Sequence, residues 1–177
     1  MIRTDRLIRV ETDGFLLPDK IARQGLLILR DRITQPLNAD LFSRFAPQLP
    51  GNVVNVFKGR SAEDVIPVTL DTIGDVNFSV TAADLRQPLA DFSAKFLAPA
   101  CMVLAEQIDT HILAAGPGAQ FVCAPQVLHD GMFGENETMD GLSLRVVYQF
   151  ELSTLEFTVS TDILFGVHPA VPEMKVA

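Results

Sequence analysis

From residue 18 onward, Ile21, Ala22, Gly25, Leu26, Ile28, Leu29 and Ile33 recur at spacings of three and four, the period of a helix with one buried face. Pro18 suits its first turn, and Pro36 ends it. Phe42, Phe45, Pro47, Pro50 and Gly51 then form a turn-rich connector whose rings need another surface to pack on. From Asn52 the period becomes two. Val54, Val56 and Lys58 alternate with Val53, Asn55 and Phe57, and beyond the polar stretch 59–64 a second run, 65–70, pairs with the first as a hairpin. Val76, Phe78 and Val80 alternate with Asn77 and Ser79 and open a sheet. Thr81 with Asp84 is the signature of a helix N-cap with an acidic first turn.

The strongest pattern lies at residues 89–115. Leu89, Phe92, Phe96, Ala100, Val103, Leu104, Ile108, His111, Ile112 and Ala115 repeat every three or four residues, which predicts one face of a helix about 40 Å long. Pro99 marks a kink or restart, and Gly116-Pro117-Gly118 a left-handed cap and a stop. Residues 119–140 show no period and are expected to be irregular. At the end of the chain Leu144, Val146, Tyr148 and Phe150 share one strand face, and Leu155, Phe157, Val159, Thr161 and Ile163 share another. The two strands predict a hairpin packed against the long helix through Phe92, Phe96, Leu104, Ile108 and Ile112. The fold class is therefore α+β.

Composition adds three constraints. The 177 residues suit one domain that needs no disulfide or structural metal. Apolar residues, with glycine counted and tyrosine not, make up about 54%, above the usual 45–50%, an excess that points to subunit contacts. Fourteen Lys and Arg against 22 Asp and Glu give a net charge of −8, which argues against sequence-specific nucleic-acid binding, because such a chain gains nothing from counterion release. Charged residues interrupt the first eleven positions, so no signal-peptide core is expected there and the cytoplasm is the expected compartment. The uncharged stretch 110–129 contains Gly116, Pro117, Gly118 and Pro125 and reads as a loop, not a membrane span. Cys101 and Cys123 lack CxxC spacing and read as free thiols.

Catalytic signatures are missing: no G-x-S-x-G, phosphate loop, H-E-x-x-H or EF-hand occurs. No catalytic, cofactor-binding or metal-binding residue is expected. Cys123, His129 and Asp130 could supply a thiol nucleophile with its base and orienter, but the loop between them fixes no geometry; a buried thiol is the simpler reading. His111 reads as a hydrogen-bonded core or interface histidine, and Asp91, Glu106 and Asp109 as a solvated or intersubunit face.

The segments 66–71 (IPVTLD), 75–81 (DVNFSVT), 91–100 (DFSAKFLAPA), 104–109 (LAEQID), 141–146 (GLSLRV) and 162–167 (DILFGV), with the closing Pro172-Glu173, resemble the major capsid (coat) proteins of tailed double-stranded-DNA bacteriophages. They make up about a quarter of the chain and lie in the family's order. The resemblance implies a Johnson-type capsid fold: residues 1–50 as the N-terminal arm, 51–75 as the extended β-hairpin loop, 76–115 and 141–177 as the peripheral domain with its spine helix, and 116–140 as the remnant of an axial domain. It also implies a structural shell subunit without catalysis. The implied partners are copies of itself in capsomers and shell, a scaffolding protein, a portal, and DNA enclosed without sequence-specific binding, with no membrane; the place is the virion capsid, assembled in host cytoplasm. Assembly and core contacts are expected from Phe92, Phe96, Leu104, Ile108, Ile112, Tyr148 and Phe157. Because 116–140 is too short for an axial domain, the native polypeptide is expected to be longer, chiefly there. The alternatives are a protein nanocompartment shell and, from another class, a small thiol hydrolase.

Overall fold

The computed structural model describes residues 14–37, 45–57 and 65–169. Expectations for the arm before residue 14, for Phe42, for the hairpin tip and for Pro172-Glu173 fall outside them. The order is helix α1 (Pro18–Arg32), strands β1 (Val53–Phe57), β2 (Val65–Thr69) and β3 (Thr72–Val80), a 3₁₀ turn (Asp84–Arg86), α2 (Leu89–Phe92), a π-helical turn (Ser93–Leu97), α3 (Ala98–Ala115), then β4 (Gln120–Ala124), β5 (Phe133–Met139), β6 (Leu142–Glu151) and β7 (Glu156–His168). Helices and antiparallel strands together make an α+β fold.

Strand β7 organises the main sheet because it is long enough to serve three neighbours. On one edge Phe157–Phe165 pairs with β3; on the other, Glu156–Asp162 pairs with β6 and Leu164–His168 with β4, and β5 closes the far side of β6. Helix α1 packs over β5 and β6, and α3 over β3 and β7. One core results, with Leu26, Leu29, Leu104, Ile108, Leu144 and Ile163 all fully buried. The helix–sheet approach is close: a Cβ on Gly25 would lie 2.6 Å from Leu144 Cδ2. The β1–β2 hairpin forms its own two-stranded sheet and covers the opposite face, where Val54, Val56, Val68, Leu70, Val122, Ala124 and Leu164 make a second, smaller core. Phe45 packs against that cluster, which supplies the surface its connector lacked. At Gly166 a Cβ would run into the Thr69 carbonyl oxygen, so only glycine lets β2 cross β7 here.

Four sequence expectations change. Helix α1 stops at Arg32, before Pro36, because residues 33–35 turn instead onto Asp109, whose carboxylate accepts from Thr34 N (3.2 Å), Thr34 Oγ1 (2.8 Å) and Gln35 N (3.3 Å). Asp109 is therefore an intramolecular tie. Residues 119–140 are not irregular: β4 and β5 lie in the main sheet. Strand β4 is a short, continuously buried run without alternation, and β5 is a polar edge strand, so neither carries a period. His111 is exposed, its Nδ1 2.8 Å from Gln107 O and its ring edge-on to Phe165.

The fourth change concerns residues 89–115. The helix runs through Pro99 without a break because the turn before it widens. Pro99 has no N–H for the Lys95 carbonyl, and its ring would clash there in an α turn. The Ala98 N–H bonds Ser93 O instead, five residues back. That extra residue shifts the buried stripe to Phe92, Leu97, Cys101, Leu104, Ile108 and Ile112, and leaves Val103 43% exposed. At the far end Gly116 has φ 88° and ψ 176°, an extended positive-φ stop and not the left-handed cap expected.

Candidate functional site

The expected contact residues divide by burial. Phe92, Leu104, Ile108, Ile112 and Tyr148 are buried in the main core, and Phe96 and Phe157 pack partly buried against it. Phe78, Phe92 and Phe96 form one aromatic cluster, with Phe78 and Phe96 stacked at 5.8 Å. These side chains hold helix to sheet within one chain.

The thiol constellation is not assembled. Cys123 faces the main core, where its Sγ accepts from Ser143 N at 3.2 Å, and burial pushes its thiol up to about 12. A thiol held protonated at neutral pH is a poor nucleophile. His129 instead lines a hollow of about 200 Å³ on the opposite face of the sheet, beside Gln126 and Arg145. Cys101 is also buried, donates to Gly25 O at 3.4 Å, and is likewise raised to about 12 by desolvation. Cys123→Ala and His129→Ala should each leave the protein folded, as read by circular dichroism. Loss of a hydrolytic activity in either, with the fold kept, would revive the enzyme reading.

Around that hollow sits the one buried ion pair among the described residues, which sequence reasoning missed. Arg145 on β6 stands directly opposite Asp162 on β7, with Asp75 of β3 on the other side. Arg145 Nε donates to Asp162 Oδ1 at 2.9 Å, Nη2 to Oδ2 at 3.2 Å, and Nη1 to Val127 O at 3.2 Å. Gln126, buried, donates through Nε2 to Asp162 Oδ1 and is clamped by Asn136, whose Nδ2 donates to Gln126 O at 2.7 Å. Burial raises the Asp162 carboxyl above its ordinary value, while Arg145 and Gln126 oppose the rise. Each of these donors already has an acceptor, so the network works as a clasp that fixes the 125–127 loop and, through the Gln48–Gln126 bridge, the entry to the β1–β2 hairpin. The signal was available: Arg145 and Asp162 are opposite charges set within otherwise apolar strand runs.

A second polar device holds the start of the helical region. Thr81 N and Oγ1 donate to Asp84 Oδ2 at 2.9 and 2.7 Å, and Asp84 N donates back to Thr81 Oγ1 at 3.2 Å. This is the reciprocal cap its sequence announced. Hydrogen bonds from Thr81, with Lys95 at 2.9 Å, lower the Asp84 carboxyl to about 2.

Apolar side chains remain exposed in four places: Val53, Phe57 and Val65 on the hairpin, Met102, Val103 and Leu113 on α3, Phe133, Phe150, Leu152 and Leu155 at one end of the sheet, and Leu49, Ile73 and Met132 around the hollow beside Arg145. Among the described residues no three His, Cys, Asp or Glu side chains converge as metal ligands, and no helix is long and apolar enough to cross a membrane. No protein-family model, curated protein or solved structure matches the chain.

Proposed function

We propose that this chain is a structural subunit of a bacteriophage capsid that self-assembles into the icosahedral shell enclosing a double-stranded DNA genome. The observation that carries the reading is the exposure of apolar side chains in several separate places on one subunit. A shell subunit meets neighbours all around its perimeter and so needs contact residues in several places. The sequence resemblance supports the same reading. So does the order of elements, in which a helix, a hairpin, a long helix and a terminal antiparallel hairpin follow one another. On this reading the Johnson-type arrangement assigns β1–β2 to the extended loop and the helix through α3 to the spine. The acidic charge is compatible with a container, since a strongly basic wall would grip its contents.

Native mass measurement with negative-stain microscopy tests it. Capsomers or megadalton particles are expected from the purified protein, alone or with a scaffolding partner. A monomer or small closed oligomer under all assembly conditions would overturn the reading.

A further inference from the structure

The outer end of the β6–β7 hairpin is built like a plug. Leu152 and Leu155 are 78% and 68% exposed, where turns ordinarily carry polar or small residues. The turn is closed from within: Leu155 N donates to Glu151 O at 2.9 Å, and Glu151 Oε1 accepts from Ser153 N at 3.3 Å and from Ser153 Oγ at 2.9 Å. Glu151 and Glu156 face each other across the last rung, next to the leucines. Among the described residues neither carboxylate has a cation. The plug is thus held in shape before it meets anything, which lowers the cost of docking it. It is apolar at its tip and acidic at its base.

Its counterpart lies at the same end of the sheet. Phe15, Leu17, Leu85, Phe133, Tyr148 and Phe157 wall an apolar groove of about 380 Å³. The charged residue in that wall is Arg86, which is exposed, stands 4.9 Å from the Phe15 ring and has no carboxylate among the described residues. An apolar groove with an unpaired cation matches an apolar plug with two unpaired anions. The leucines do not line the groove of their own chain and stay exposed, so the match is open only between copies. Phe157 of the groove wall is two residues from Leu155, about 7 Å along the strand. Plug and groove therefore sit side by side, as an isologous contact requires: about a two-fold axis each subunit gives its plug and receives the other's.

We propose that two copies of this chain join here through a two-fold contact, Leu152 and Leu155 of each seated in the other's groove, and Glu151 and Glu156 of each beside the other's Arg86. The contact also covers Phe133, an exposed ring of the groove wall. It rests on the shell reading for its partner, a neighbouring copy, and supplies one of the contacts that reading requires.

The test photo-cross-links full chains in solution. One population carries Thr154→Cys, an exposed position that leaves both leucines in place, labelled with a benzophenone maleimide; the buried Cys101 and Cys123 do not compete for the label. The other population is unlabelled and lengthened by a tag. Irradiation should give a covalent dimer of mixed mass, its adduct on a groove-wall residue of the unlabelled chain. Arg86→Glu in the unlabelled chain should lower that yield about tenfold or more, since like charges then meet. Adding Glu151→Arg and Glu156→Arg to the labelled chain should restore it, because both halves of the contact again pair opposite charges. No mixed dimer, adducts outside the groove, a yield indifferent to charge, or a loss that the reversal does not rescue would each overturn the proposal. Light scattering on the parent protein separates this contact from the shell reading: particles without the cross-link overturn the contact alone, whereas a cross-linked dimer that never grows supports the contact and overturns the shell.

Discussion

Arg145→Met should cost the folded protein about 3–5 kcal/mol at neutral pH, because it strands the Asp162 carboxylate in a buried site without its cation. The pH dependence is more telling than the size. Burial already raises the Asp162 carboxyl, and Arg145 is the larger of the two groups that pull it back. Without Arg145 the folded-state pKa rises further, so the folded variant holds a proton that the unfolded chain releases. Its stability should therefore be best below the ordinary carboxylate pKa of about 4 and fall as pH climbs from there through the folded-state pKa. Urea unfolding at pH 4 and pH 7 should show the gap to the parent widening toward neutrality. Adding Asp162→Asn removes the stranded charge and should recover most of the loss. A pH-independent deficit, or none, would mean that the clasp is not held by this ion pair.

Ile108→Asp places a carboxylate at a fully buried position of α3 against β3 and β7. It should cost several kcal/mol and collapse soluble expression. Ile108→Val, which only trims a methyl group, should cost about 0.5–1.5 kcal/mol and remain soluble. Yield and thermal midpoint of the pair check the assignment; an unchanged midpoint for the aspartate variant would refute it.

Much of this architecture is legible in the sequence, for identifiable reasons. Elements with one buried face announce themselves, as α1, β6, β7 and most of the long helix do. Strands β4 and β5 do not. The first is buried on both faces, so its residues Gln120–Ala124 lack alternation; the second is an edge that places the exposed Glu135 and half-buried Glu137 opposite Val146 and Leu144. A local cue for β5 was nevertheless present. Asp140-Gly141, both with positive φ (49° and 82°), is the dipeptide of a two-residue hairpin turn. Its place beside acidic residues disguised it as loop. The Arg145–Asp162–Gln126 clasp was legible only in part: the two opposite charges within apolar strand runs were visible, but Gln126 lies far away in the chain and only the fold brings it to them.

The π-helical turn at Ser93–Leu97 has a bearing on how the chain tolerates insertion and deletion. It takes one residue more than an α turn would use, so the helix on its two sides runs in two phases offset by about 100°. Removing one residue there would let the turn close to an ordinary α turn while leaving the helix length nearly unchanged. Both flanks would keep their faces, with Phe92 still beside Phe78 and the stretch from Leu97 onward still on the sheet; straightening the turn with that residue kept would instead swing one flank by about 100°. The deletion would return the ring of Pro99 to a clash with the carbonyl four residues before it. The widened turn thus acts as a vernier: it absorbs one residue without disturbing the packing on either side, and Pro99 holds it open.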